Sequence, residues 1–295
     1  MSKRAPRSPR RSSFKDPRRA PVPKNPAPIA SAANPRVKEI RRLRRKKNLD
    51  GSGRLALEGV RLIREALDAG VEISQLVVCE ELAKRPEARK LLPRLKEIPR
   101  LEVTASVFAT LAEREDPVGL LAVVKMPPLE FSLLPSKKKL WLLADGVQRP
   151  GNLGNIIRVA DAVAADGVIA LRSASPFSNQ SVIASLGAIF TVPLAADSAG
   201  KDFEKWLAER HAAEKDFQIV TTSPAGEKDF TEVDWRRPTL LVLGSEQFGA
   251  SEDLLKAATV TARLPMRGKM DSLNVATTTA VVAFECLRAR GEISL

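Results

Sequence analysis

Two blocks of the chain alternate between short apolar runs and stretches whose apolar residues recur every three or four positions. In the first block the runs predict strands at 54–58, 74–79, 101–104 and 119–125, and the helical periodicity fills 58–69, 82–92 and 106–113. In the second they predict strands at 140–145, 167–171, 191–194, 217–222, 239–244 and 260–264. Helices are predicted there at 153–165, 178–187, 201–213, 251–258 and 274–290. Strand–helix alternation of this kind makes an α/β fold. Six near-continuous apolar strands with interleaved helices predict a parallel sheet covered on both faces, which binds ligands beyond the carboxyl ends of its strands.

The segments around these blocks read differently. Residues 1–34 are rich in Pro, Arg, Ser and Ala and lack the apolar surface to fold alone, so a disordered tail is expected. In 36–48, Val37, Ile40 and Leu43 repeat every three residues, a narrow apolar stripe on a very basic helix. Residues 126–139 hold three prolines and a lysine run and read as a linker. The expected organisation is a tail at 1–34, a small α/β domain at 35–125, the linker at 126–139 and a second α/β domain at 140–295.

Charge adds a partner class. The net +13 is local: residues 1–50 hold 17 Lys and Arg against 3 Asp and Glu, and the other 245 residues hold 31 against 32. A basic arm on a nearly neutral body is an electrostatic footprint for nucleic acid, held by phosphate neutralisation and counterion release. Arg41, Arg42, Arg44 and Arg45 of the basic helix, and Arg61 with Glu58 and Arg64 at helical spacing, are the candidate RNA contacts. A solvated face is the alternative.

Several classes fall away. No apolar run approaches the length of a membrane-spanning helix, and the N-terminus lacks the apolar centre of a secretory signal. Its arginines and serines resemble a transit peptide, but its prolines break the amphipathic helix such a peptide needs. Cys79 and Cys286 have neither metal spacing nor a disulfide framework, which suits a reducing cytoplasm. The single histidine, His211, sits in a Lys/Glu-rich helix and offers neither a triad nor a metal site. There is no phosphate-binding Gly-x-x-x-x-Gly-Lys loop.

Three polar loops follow predicted strands at the same sheet edge. The first, Asp145 to Arg158, turns through glycine and proline into a helix. It presents Asn152, Asn155 and Arg158 opposite the buried stripe Leu153, Ile156, Ile157 and Ala160. Asn152 is a possible cap. Arg158, close to a helix N-terminus, opposes the dipole and calls for an anion, either a phosphate or an internal carboxylate. The loop lacks the Gly-x-Gly-x-x-Gly dinucleotide spacing. The second, Leu241 to Gly249, runs an apolar strand through Leu243 into Gly244, Ser245 and Glu246, where Glu246 caps a helix or holds a cation such as Arg158. In the third, Leu264, Met266 and Leu273 flank Gly268, the composition of an apolar pocket with backbone hydrogen bonds. Ser272 and Asn274 there are also potential caps.

In this order, "DGVQRPGNLGNIIRVADA", "LVLGSEQFGAS" and "LPMRGKMDSLNVATTTAVVAFE" resemble the three motifs of the SpoU (TrmH-like) RNA ribose methyltransferases of the SPOUT superfamily. Region 36–125 resembles that family's small substrate-binding domain, a ribosomal-protein-like fold. The resemblance implies a deep trefoil knot, S-adenosylmethionine as cofactor, and a homodimer. It implies that Leu243, Gly244, Leu264, Met266, Gly268 and Leu273 hold the cofactor. Asn152, Arg158, Glu246, Ser272 and Asn274 would form the polar active site, with Arg158 acting near the partner's cofactor as base or as phosphate ligand. A sulfonium methyl is already activated, so no metal is implied. Val159 and Ser245 depart from the family's usual Thr and Asn, and Ser245 leaves the hydrogen bonding of Glu246 open. The implied activity is 2′-O-methylation of RNA. The separate substrate domain and long basic arm suit a large structured ribosomal RNA, with transfer RNA as the alternative. The rivals are a non-catalytic RNA-binding or ribosome-assembly factor and a nicotinamide dehydrogenase.

Overall fold

The computed structural model describes residues 27–45, 52–135 and 139–294. The tail before residue 27, the side chain of Arg45 and positions 136–138 of the expected linker lie outside the described residues.

The first unit is a four-stranded sheet of β1 (Arg54–Glu58), β2 (Ile73–Val78), β3 (Arg100–Glu102) and β4 (Leu120–Lys125), ordered β1-β4-β2-β3. β4 runs antiparallel to both neighbours, and β2 pairs parallel with β3. The basic helix α1 (Pro35–Arg45) buries Val37, Ile40 and Leu43 on one face of this sheet, against Val77, Leu101, Phe108 and Leu121. Its three-residue stripe is therefore a packing stripe. On the other face lie α2 (Val60–Asp68) and α3 (Pro86–Leu91), and α4 (Ala105–Ala109) follows β3. The expected helix at 82–92 starts only at Pro86, whose fixed φ and missing N–H suit a first helical turn.

Two expectations change here. Residues 27–34 are not all tail: Ile29 bridges to Val103, donating its N–H to Glu102 O at 2.9 Å and accepting from Thr104 N at 3.1 Å. Pairing of the backbone groups at the sheet edge supplies what composition lacked. Nor is 126–135 a free linker. Met126 and Leu134 are buried, and Phe131 lies 6.4 Å from Phe203 and 6.1 Å from Trp206 between ring centroids.

The second unit is a parallel sheet of seven strands: β5 (Leu140–Asp145), β6 (Gly167–Leu171), β7 (Leu194–Asp197), β8 (Gln218–Thr222), β9 (Lys228–Asp229), β10 (Thr239–Gly244) and β11 (Val260–Arg263). The order is β7-β6-β5-β10-β8-β11-β9, one two-residue edge strand more than the sequence predicts. The helices are α5 (Pro150–Ala162), α6 (Asn179–Ser185), α7 (Lys201–Ala213), α8 (Glu252–Ala257) and α9 (Val275–Ala289). Alternate residues face opposite sides, as the pleat requires. Leu142, Ala144, Leu241 and Leu243 meet Leu153, Ile157, Val282 and Cys286 of α5 and α9. Trp141, Leu143, Leu240 and Val242 meet Phe203, Trp206 and Leu254 of α7 and α8. Strand order reverses between β5 and β10, so the loops leaving Asp145 and Gly244 part there, where parallel sheets open a crevice.

Candidate active site

The crevice is rigid at its base. Asp145, the last residue of β5, is buried and accepts Ser251 N at 2.7 Å and Arg172 Nη2 at 2.9 Å. Arg172 also donates to Ser251 Oγ at 2.8 Å and Asp253 Oδ2 at 3.1 Å. Burial pushes the Asp253 carboxyl up, but hydrogen bonds from Ser251 and Arg172 outweigh it, and the carboxyl sits below its ordinary value. One arginine thus ties the ends of β5 and β6 to the start of α8.

Above this base, β10 ends in a tight turn. Ser245 N donates to Gly249 O at 3.0 Å and Gly249 N to Ser245 O at 2.9 Å. A side chain on Gly244 would meet Ala250 N and Gly249 C at 2.1 Å, so only glycine admits this closure. Ser245 spends its hydroxyl inside the turn, accepting from Phe248 N at 3.1 Å. Glu246 is then left pointing out of the turn.

The glutamate meets an asparagine. Asn152, in the first turn of α5, donates its amide to Glu246 Oε1 and accepts from Asn274 Nδ2 at 3.1 Å through its own Oδ1. Asn274 caps α9, its Oδ1 accepting from Ala276 N at 2.9 Å. One chain of hydrogen bonds therefore joins all three loops. Asn152 is no cap, and Glu246 takes Asn152 rather than Arg158 as its partner.

Beside this chain opens a cleft of about 370 Å³ lined by Gly244, Glu246, Leu264, Met266, Ser272 and Leu273. The loop after β8 adds Thr222, Ser223 and Pro224, which carried no signal in the sequence, being a short polar turn among many. Ser272 donates to Asp271 Oδ1 at 3.2 Å instead of capping α9. The lining suits an amphiphilic nucleoside: apolar walls from Leu264, Met266 and Leu273, with polar groups from Glu246 and Ser272 at one side.

Other expected residues fall elsewhere. Leu243 points its side chain into the core against α5 and α9, because the pleat gives that position to the covered face. Gly268 does not line the cleft, and a side chain there would meet nothing within 4 Å. Arg158 is exposed on α5, six residues and about 9 Å beyond Asn152 along the axis. It forms no hydrogen bond or ion pair with any described residue.

The basic helix also divides. Arg42 and Arg61 are exposed, and Arg41 spans to Thr110 Oγ1 at 2.6 Å. Arg44 is buried and is not an RNA contact. It donates to Glu58 Oε2 at 2.5 Å and to Leu111 O at 3.2 Å, because residue 44 follows Leu43 onto the packed side of α1. Glu58 closes β1 rather than sharing a helix face with Arg61, and it also accepts Glu113 N at 2.9 Å. Glu113, itself exposed, in turn accepts from Asn179 of α6, so this cluster joins the two units.

Comparison with known proteins agrees with this fold. Residues 139–284 match the SpoU rRNA Methylase family, and residues 34–122 match the MRM3-like substrate binding domain. The chain is 31% identical to the 23S rRNA (uridine(2479)-2′-O)-methyltransferase of Streptomyces viridochromogenes, over 81% of this chain and 84% of that one. It is 32% identical to the tRNA (guanosine(18)-2′-O)-methyltransferase of Thermus thermophilus, but over 51% of this chain and 75% of that one. Its fold superposes on the SpoU methyltransferase AviRb of Streptomyces viridochromogenes in complex with AdoMet. The TM-score is 0.80 at 29% identity, covering 88% of this chain and all (100%) of the other. An AdoMet-bound rRNA methyltransferase from Sinorhizobium meliloti gives 0.76 at 33% identity, covering 90% and 98%.

Proposed function

Since the chain belongs to the SpoU rRNA methylase family, we propose that it transfers a methyl group from S-adenosylmethionine to a ribose 2′-hydroxyl of ribosomal RNA. The observation that carries this reading is the hydrogen-bonded chain Glu246–Asn152–Asn274, which reaches the cleft at the switch point through Glu246.

S-adenosylmethionine, when bound, supplies a methyl on a positively charged sulfur, ready for displacement. Leu264, Met266 and Leu273 would hold its adenosine, and the closed turn at Gly244 keeps the wall beside them fixed. A 2′-hydroxyl has to lose its proton as it attacks, and positioning it against the methyl supplies much of the acceleration. Asn152 and Asn274 fix the orientation of Glu246, leaving its second oxygen to orient a substrate hydroxyl. Arg158 binds the RNA phosphate and steadies the developing oxyanion, or takes the proton with that phosphate's help. Its distance from its own cleft and its lack of a partner among the described residues favour action on the second subunit of a homodimer. Val281 and Phe284, exposed on α9 next to α5, support that contact. A monomer in sedimentation equilibrium would remove the dimer from this scheme.

Ribosomal RNA is favoured because the 23S rRNA relative aligns along 81% of this chain, the first unit included, whereas the transfer-RNA relative aligns over 51%. A cytoplasmic location is proposed with that substrate. Two observations are compatible with that: no described helix is long and apolar enough to cross a membrane, and both cysteines are free and buried. A trefoil knot is proposed as well. α9 packs on α5 and β10, so 264–274 returns the chain from the β11 side to the middle of the sheet. Stretched from both ends after denaturation, the knotted chain stays shorter than its contour length, and full extension would exclude the knot.

The function is tested by incubating unmodified ribosomal and transfer RNA with the protein and S-adenosylmethionine and mapping ribose methylation. One modified ribose in ribosomal RNA is expected. Modification of transfer RNA alone overturns the substrate, and no methylation of either favours an assembly factor.

A further inference from the structure

Two features of the cleft rim are unused by the scheme above. Phe248 is 81% exposed although it lines the cleft. Its position is fixed: it sits in the turn closed by the Ser245–Gly249 backbone pair, and its own N–H is held by Ser245 Oγ at 3.1 Å. Gly249, at φ +71°, makes the bend that turns the chain back immediately after it. Apart from Phe284 on α9, every other large aromatic among the described residues is at least half-buried in the body of the protein. A rigid aromatic held in water at the mouth of a nucleoside-sized cleft is suited to a flat apolar partner.

The chain beside the cleft says what kind of partner. Between Met266 and Asp271, which both line the cleft, Arg267 and Lys269 are exposed and engage no described residue. Cations free of described partners beside the cleft and a bare ring at its mouth match the two parts of a nucleotide, its phosphate and its base. Sequence-tolerant binding of single-stranded nucleic acid uses this pairing of stacking face and backbone cations.

We propose that Phe248 is the platform on which the target nucleobase stacks, positioning its ribose over the cleft, while Arg267 and Lys269 hold the adjoining phosphates. This rests on the ribose-methylation reading. It makes Phe248 a positioning residue that grips the substrate base and takes no part in proton transfer.

The test uses the full chain, unmodified ribosomal RNA transcript and S-adenosylmethionine. Methyl-transfer kinetics, equilibrium cofactor binding and sedimentation are measured for wild type, Phe248→Ala, Phe248→Leu and Phe248→Trp. Expected are a rise of about tenfold or more in KM for RNA for the Ala and Leu variants and near-wild-type KM for Trp. Cofactor affinity and oligomeric state stay unchanged throughout. Arg267→Ala and Lys269→Ala should each flatten the salt dependence of RNA binding by about one unit of log–log slope. A wild-type protein that methylates no RNA overturns the activity and the platform together. An active wild type matched by Phe248→Ala or Phe248→Leu overturns the platform alone. Weakened cofactor binding in Phe248→Ala would make the ring a cofactor wall, and a lost dimer would make it an interface residue. Either result overturns the proposal.

Discussion

Asn274 donates its side-chain amide to Asn152 Oδ1 at 3.1 Å, across 122 positions of sequence, while its own oxygen caps α9. The two halves of one amide therefore do separable work, one structural and one at the site. Asn274→Asp keeps the acceptor and loses the donor. It should melt near wild type and lose most methyl transfer. Asn274→Ala loses both, at about 1 kcal/mol from the missing cap. Thermal melts beside transfer rates check this, and equal melting losses in both variants would contradict it.

Arg158 makes no contact with the described residues of its own chain and lies outside its own cleft. Arg158→Ala should abolish methylation and leave cofactor binding intact. Mixed with an inactive Glu246→Gln chain, it should recover part of the activity if the arginine serves the partner subunit. Tritiated-methyl transfer by the mixture measures this, and no recovery would place Arg158 in its own subunit's chemistry.

At Gly244 even one methyl group has no room, since it would lie 2.1 Å from the backbone of Gly249 and Ala250. Gly244→Ala has to open the turn, at about 1–3 kcal/mol, and move the cleft wall with it. Calorimetric titration with S-adenosylmethionine should show binding weakened well over tenfold. Gly268→Ala, where nothing lies within 4 Å, should bind like wild type.

Arg42 and Arg44 are two residues apart and should behave in opposite ways. Arg44→Met strands the Glu58 carboxylate, whose side chain is 5% exposed, and should cost about 3–5 kcal/mol in urea unfolding. Arg42→Ala should leave stability within about 0.5 kcal/mol and weaken RNA binding in a salt-dependent way.

Asp197 ends β7 and accepts the backbone N–H groups of Ala199, Gly200, Asp202 and Phe203 at 2.8–3.1 Å. Partial burial pushes its carboxyl up. The hydrogen bonds from Gly200, Phe203, Ala199 and Asp202 outweigh this and hold it below 3.8. Folding thus favours the charged form. Its contribution is complete above the ordinary value and is lost as pH falls through the lower folded value. The stability gap between wild type and Asp197→Asn should be full at pH 7 and shrink below about pH 4. A gap independent of pH would mean that the charge contributes nothing.

Much of the site was legible before the fold. The polar residues Asn152, Glu246, Ser272 and Asn274 stood out through the resemblance of their loops to the family's three motifs, since by residue type alone each also reads as a cap or an ion-pair partner. Their partners were not legible. Glu246 did not point to Asn152 over Arg158, because that contact spans 94 residues, and Ser245 gave no sign that its hydroxyl stays within its turn, because residue type does not fix the turn's geometry. Thr222 to Pro224 were invisible for the same reason: they reach the cleft only because β8 lies beside β10.

The sequence by itself determined the local periodicities: two α/β blocks, the strands that read as buried on both faces, the stripe on α1 and the ligand loops at one edge. These follow from the two- and 3.6-residue repeats, which are set by neighbours along the chain. Tertiary structure decided the rest. It buried Arg44 yet left Arg42 in water, sent Leu243 into the core instead of the cleft, and drew Phe131 and Leu134 onto the second unit. Periodicity defines a face but not what packs against it, and the free energy of a charge depends on that second surface.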